Sequence, residues 1–458
     1  MNLLPGSLKP YQLTGAELIT EFNCTRLLAD EMGVGKTRTA AAAVIMADHF
    51  PCVVVCPVQV KYTWADEIAA ICPEARVSVI SGRSPAKCPV TSGFHFYVIN
   101  RDIFASRLEE LKSLNPRQLI IDEAHQIGGY DTAILKALFL MSVAVRKSGG
   151  NVLPMQPGGV LPLTGTPITN DYTDIHRIFC IMAPGVFGNK TAFEAKYCPE
   201  NVFKKQIFGG MFRGKPRWIV AKEYADAKKK GLVPKASEAS VAELSKTIRQ
   251  WWLRRTRKSV WKVIPHETHM WRVDVDDAEV RSADKEAREA LSSGANVQDG
   301  AFAHVRRLVA EAKIPLVVQW IHNFMAGTDE KLVVMCWHVE VGKQIQKEFG
   351  KACVQVAGDG ESKKRAMAAF QGDPSVRLCV CNVKASTGTT LTAARTILFA
   401  EMPWTWSDFS QARDRVNRIG QEAESIDYTV CIAADTVEEI VWRIVNRKKD
   451  LTAKVMGE

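Results

Sequence analysis

Long apolar runs are missing from this chain. Runs such as Cys52 to Val55 and Lys331 to Trp337 are strand-sized, and none in the chain approaches the roughly 18 residues that a membrane span needs. The start, Met1 to Gly6, has neither the charged opening nor the apolar core of a signal peptide. A cytosolic protein is therefore expected, with no membrane partner. There is no C-x-x-C pair, which excludes a zinc ribbon or a thioredoxin-type redox motif, and His266 and His269 stand too isolated to form a metal site. No short repeat or low-complexity tract is present. The 12 cysteines do not read as a disulfide framework. Cys52, Cys56, Cys336, Cys379, Cys381 and Cys431 lie in or beside β-like runs, where cysteine acts as a small buried hydrophobe.

What is present is a globular composition: 458 residues, 47% apolar and 24% charged, enough for two or three domains. A net charge of +10 favours polyanionic partners, because Lys and Arg neutralise phosphates and release their counterions. Two regions alternate short β-rich runs with amphipathic helical stretches, the pattern of a parallel α/β sheet. The first spans 1–185, with strands expected at Cys52–Cys56, Val77–Ile80, Phe96–Ile99, Leu119–Ile121 and Val160–Leu163. The second spans 315–458, with strands expected at Leu332–Cys336, Ala352–Val356, Leu378–Cys381, Thr396–Ala400 and Ser425–Val430. Residues 186–314 differ in character: they carry Lys228-Lys229-Lys230 and a run through Trp251 to Arg255 that reads as helical, so a helical insertion and linker is expected. Ser148 to Gly159, rich in Gly and Pro, reads as a loop excursion.

Two segments carry chemistry. Asp30-Glu31-Met32-Gly33-Val34-Gly35-Lys36-Thr37 precedes an alanine-rich helix. Glycines there let backbone N–H groups turn toward phosphate oxygens, and the helix N-terminus adds partial positive charge. Lys36 would reach the β- and γ-phosphates, and the Thr37 hydroxyl would hold Mg²⁺. The strict phosphate-loop pattern has Gly where Asp30 stands. The second segment, Leu119 to His125, is an apolar strand ending in Asp122 and Glu123. Asp122 can bind Mg²⁺ and Glu123 can polarise an attacking water. Each segment alone is a common pattern; both within one α/β lobe point to nucleotide hydrolysis.

Lys36-Thr37, Asp122-Glu123-Ala124-His125 (a DEAH box) and Leu163 to Asn170 resemble motifs I, II and III of superfamily-two helicases. Gln411-Ala412-Arg413-Asp414-Arg415-Val416-Asn417-Arg418-Ile419-Gly420-Gln421 resembles motif VI of the Swi/Snf-type DNA translocases. The spacing of Arg415 and Arg418 predicts both guanidiniums on one face of a helix. The resemblance covers nearly the whole chain: Leu8 to Gln12 is similar to the adenine-recognition segment, Cys56 to Glu67 to motif Ia, Val98 to Asp102 to the next strand-end motif, Trp252 to Pro265 to the exit of the first helical protrusion, Val333 to His338 to motif IV, and Lys384 to Ala394 to motif V. Tyr197-Cys198 and Ala312-Lys313 match the compact annealing-helicase branch of HARP type. Ser386, Thr389 and Trp406-Ser407 depart from the usual family residues.

The resemblance implies two tandem RecA-like lobes, with ATP and Mg²⁺ as ligands. Gln12, Gly33, Gly35, Lys36, Thr37 and Gln411 would bind the nucleotide, and Thr37 and Asp122 the metal. Lys36, Asp122, Glu123, Arg415 and Arg418 would carry the chemistry, the last two as arginine fingers from the second lobe. Thr164 and Thr166 would couple nucleotide state to DNA grip. Lys61, Arg101, His338, Ser386 and Thr387 would touch DNA, with duplex as the expected form and no reading of sequence. A monomer is expected, without an added reader, nuclease or junction module, from a bacterial or virus-infected cell. Two alternatives stay open: a strand-separating DNA or RNA helicase of the same superfamily, and a DNA-binding adaptor that keeps the fold without hydrolysis.

Overall fold

The computed structural model describes residues 3–4, 6–83, 95–148, 159–169, 171–203, 227, 230, 232–260, 264–292, 300–357, 360–386, 388–418, 420–443 and 445–446. The excursion expected at Ser148 to Gly159 therefore falls mostly outside them, as do Lys228, Lys229, Asn170, Thr387 and Ile419. Among the described residues no helix is long and apolar enough to cross a membrane.

Two compact units divide the chain. The first comprises Met1–Cys198, Ala236–Lys262 and Thr452–Glu458, and the second Pro199–Lys235 and Val263–Leu451. The region 186–314 thus forms no unit of its own. Its helices Lys190–Tyr197 and Glu238–Trp251 belong to the first unit, and its helices Ala278–Ser292 and Gly300–Gly327 to the second.

The first unit opens with helix α1 (Pro10–Thr20), strand β1 (Leu27–Leu28) and helix α2 (Lys36–Ala47). Then come β2 (Cys52–Cys56), helix α3 (Lys61–Ile71), β3 (Arg76–Ile80), β4 (His95–Asn100), β5 (Gln118–Ile121) and β6 (Val160–Pro162). The last five strands make a sheet in the order β3-β4-β2-β5-β6, with every pair parallel. Parallel strands need covering helices on both faces, so their sequences run apolar without alternation. β2 shows this: Val53 and Val55 enter one core while Cys52, Val54 and Cys56 enter the other. Ala40 to Ala43 of α2 are wholly buried in that second core.

Later in the chain β7 (Trp252–Leu253) returns to pair in parallel with β1. Helical periodicity was expected there, but the helix stops at Trp251 and the next two residues are strand. Pairing with β1 decides the conformation, and a two-residue strand leaves no period to read.

The second unit holds β8 (His266–Val273), β9 (Leu332–Cys336), β10 (Cys353–Val356), β11 (Leu378–Asn382), β12 (Thr396–Phe399) and β13 (Ile426–Ala433). They form a parallel sheet in the order β10-β11-β9-β12-β13-β8. The five expected strands are present within a few residues of their predicted ends; β8 was not expected. It sits at the edge with most of its side chains exposed, so it carries no apolar signature, and its pairing to β13 defines it. The cysteines in both sheets are unpaired and buried, Cys52, Cys56, Cys336, Cys379, Cys381 and Cys431 among them.

Candidate active site

In a parallel α/β sheet, ligands gather at the carboxyl ends of the strands, and the first unit places its two chemistry-bearing segments there. The phosphate loop leaves β1 and ends in α2. Gly33 and Gly35 have φ of 84° and 93°, the left-handed region that costs glycine nothing. A Cβ at Gly35 would also collide with the Gln12 side chain. The N-terminal N–H groups of α2 lack partners within the helix and favour an anion. Lys36 lies over the loop, its Nζ donating to the carbonyls of Asp30 at 3.1 Å and Glu31 at 3.4 Å. Thr37, half-buried, follows it. Gln12 bridges the start of α1 to the loop: its Oε1 accepts from the Lys9 N–H at 2.9 Å and its Nε2 donates to the Val34 carbonyl at 3.5 Å. The Tyr11 hydroxyl donates to the same carbonyl at 3.0 Å.

Asp122 and Glu123 stand just past β5. The Trp64 indole N–H donates to Asp122 Oδ2 at 2.9 Å, and the Glu123 backbone N–H to Oδ1 at 2.9 Å. Burial, and then the neighbouring Glu123 charge, push the Asp122 carboxyl up to about 6, against the pull of Trp64 and Lys36. Lys36, Asp122 and Glu123 therefore share one electrostatic neighbourhood. Glu123 has φ 50° and ψ 51°, a left-handed conformation that costs a non-glycine residue on the order of 1–3 kcal/mol and collects at functional sites. Its carboxylate lies 3.3 Å from His125 Nδ1. That nitrogen is 2.9 Å from Thr164 Oγ1, which accepts the Thr166 N–H at 3.1 Å. A buried chain of polar groups thus runs from the end of β5 to the end of β6.

The donors present suit a magnesium nucleotide. Among the described residues no group of three or more His, Cys, Asp or Glu side chains could hold a metal ion. Mg²⁺ at such sites takes only one or two protein ligands, the rest being water and phosphate oxygens, and a desolvated acid pair is what such a cation would neutralise.

In the second unit, helix Trp406–Arg413 ends before Arg415. The two arginines therefore do not share a helix face. The Arg415 N–H turns back to Ala412 O at 3.2 Å, and Arg415 and Arg418 lie in the tight turns that follow. Arg415 is buried. Arg418 Nη1 donates to Thr389 O at 2.9 Å and Thr390 Oγ1 at 3.2 Å, which docks motif VI onto motif V. Gln411, buried in the helix, donates to Ser407 Oγ at 3.3 Å.

The expected DNA contacts fare unevenly. Lys61 is buried, donating to Ile80 O at 3.0 Å and Ser81 Oγ at 3.1 Å. In this conformation the Lys61 ammonium is engaged within its own fold. Ser386 is also buried, its hydroxyl donating to Val383 O at 2.6 Å. Arg101 is half-buried, donating to Gln126 Oε1 at 2.6 Å. His338 pairs with Glu401 at 2.6 Å. Thr387 lies outside the described residues. Sequence reasoning missed the Asp122 partnership of Trp64: the tryptophan stood in the motif Ia segment, but only the fold brings its indole to the acid.

The sequence of the SNF2-related domain matches residues 11–296, and that of the helicase conserved C-terminal domain residues 312–420. The chain belongs to the SNF2-related family. Among curated relatives of this SNF2-family chain, the mouse "DNA annealing helicase and endonuclease ZRANB3" is 24% identical, covering 100% of the chain and 42% of the relative. The Bos taurus "SWI/SNF-related matrix-associated actin-dependent regulator of chromatin subfamily A-like protein 1" is 27% identical, covering 99% and 45%. The SNF2-family chain thus spans less than half the length of these relatives. Of solved structures, the "Sulfolobus solfataricus SWI2/SNF2 ATPase core in complex with dsDNA" is 21% identical, with 98% of this chain and 92% of that one covered and a TM-score of 0.43.

Proposed function

We propose that this chain is an ATP-hydrolysing motor that moves along double-stranded DNA without reading its sequence. The observation that carries the proposal is the Asp122–Glu123 pair past β5, with the Lys36 charge acting on it. Gln12 would read the adenine edge, the Gly33–Gly35 backbone and Lys36 would hold the phosphates, and Thr37 and Asp122 would hold Mg²⁺. That ion supplies charge neutralisation along the phosphates. Glu123 would take a proton from the attacking water as its oxygen bonds to the γ-phosphorus and the bridging oxygen leaves with ADP. Arg415 and Arg418 would offset charge on the departing phosphoryl group. Duplex DNA as the track rests on family membership, on the net charge of +10 and on relatives named for DNA annealing.

The test is ATP turnover with duplex DNA, single strands, forks and RNA. Duplex DNA is expected to stimulate most, and Lys36→Ala or Glu123→Gln to abolish turnover. Stimulation by RNA with none by duplex DNA would overturn the translocase reading, and unwinding of a tailed duplex would favour a strand-separating helicase.

A further inference from the structure

Asp30 stands where the strict phosphate-loop pattern has glycine, and its side chain is wholly buried. Its partner comes from far along the chain. The Arg255 backbone N–H donates to Asp30 Oδ1 at 2.8 Å, and Arg255 Nε lies 3.1 Å from each Asp30 oxygen. Nη2 reaches Asp30 Oδ2 and, at 3.5 Å, Thr39 Oγ1 of α2, while Nη1 donates to the Tyr11 carbonyl of α1. A Cβ at Gly15 of α1 would collide with this guanidinium, so that glycine makes room for it. Neighbouring contacts extend the attachment: Arg254 Nη1 donates to Ala29 O at 2.6 Å, and the Arg257 N–H and Nε donate to the Glu31 carboxylate at 2.7 and 2.8 Å. Residues 252–257 therefore run as a strap along 27–31.

We propose that Arg255 is a positioning residue that sets base selectivity, by holding the Gln12-bearing helix in fixed register with the phosphate loop. The inference rests on the ATPase reading above. One guanidinium, through three of its nitrogens, fixes α1, the loop and α2, the three elements that would meet base, phosphates and metal. A lysine offers one compact charge and cannot span them. Gln12 can read a base only if its distance from the phosphate loop is fixed while the phosphates are held.

The experiment compares full-length wild type, Arg255→Lys and Gly15→Ala, the last pushing the guanidinium off α1 while keeping its charge. Readouts are KM and kcat for ATP and GTP, and inhibition by inorganic tripolyphosphate, which has no base. In both variants the KM for ATP is expected to rise about tenfold and the preference for ATP over GTP to shrink by a similar factor. Tripolyphosphate inhibition is expected to stay within about twofold of wild type. Equal loss of ATP and tripolyphosphate binding would overturn the proposal, as would an unchanged ATP preference. If Arg255→Lys does not fold, Gly15→Ala decides. A wild type that hydrolyses no nucleotide refutes the ATPase reading itself, an outcome distinct from failure of the positioning role.

Discussion

With its carboxyl pushed up to about 6, Asp122 is ionised at neutral pH but loses its charge about two units sooner on acidification than an ordinary aspartate. A metal ligand must be ionised to bind. Turnover at fixed, subsaturating Mg²⁺ should therefore fall about tenfold per pH unit below that value, and added Mg²⁺ should restore part of it. Trp64→Phe removes an N–H that favours the ionised form, so it should move the acidic limb to higher pH. A limb that ignores both Mg²⁺ and Trp64 would place the titration elsewhere. Lys36, Asp122 and Glu123 were legible because each belongs to a short contiguous pattern with a chemical reason. The Trp64 contact and the anchoring of Asp30 were not, because their partners lie 58 and 225 residues away and only folding supplies the proximity.

The same contrast holds for whole elements. Ten strands could be read from apolar runs because parallel strands are covered on both faces, whereas β1, β7 and β8 were missed, two for shortness and one for exposure. Arg415 and Arg418 carried the spacing of a helix face, yet the helix ends at Arg413 and tertiary docking on Thr389 and Thr390 overrides local period. Helix Gly300–Gly327 is tied to the segment after β13 by a buried ion pair, Lys313 Nζ to Glu438 at 2.9 Å. Burial opposes the lysine charge, but Glu438 more than compensates and the pKa of Lys313 is raised. Lys313→Met leaves a buried carboxylate unmatched and should cost about 3–5 kcal/mol, read as a lowered urea midpoint. The double variant Lys313→Met, Glu438→Leu should recover much of that loss, whereas equal destabilisation by both would show that the charge pairing contributes little.

On the sequence-independent DNA track proposed above, a positive balance of +10 would make the grip of the whole molecule an exchange of side chains for counterions. The DNA concentration giving half-maximal ATPase stimulation should then rise about tenfold or more between 50 and 200 mM salt. Turnover without DNA should change far less, and a salt-insensitive half-point would argue against a phosphate track. The order of motifs and the two parallel sheets were legible over the full length. The division of 186–314 between the two units was not, since it depends on which surfaces the inserted helices cover.

The strap that closes on Asp30 also has a consequence in time. At about 5–20 residues per second, the 225 residues between Asp30 and Arg255 take on the order of 10–45 s to synthesise. Throughout that interval β1 lacks β7 and the Asp30 carboxylate lacks its arginine, so the first unit emerges from the ribosome with its phosphate loop unclamped. On the positioning role proposed for Arg255, base discrimination would become available only after the chain has entered the second unit's sequence and come back, and a nascent chain arrested before Arg255 has the sequence of the loop without its clamp.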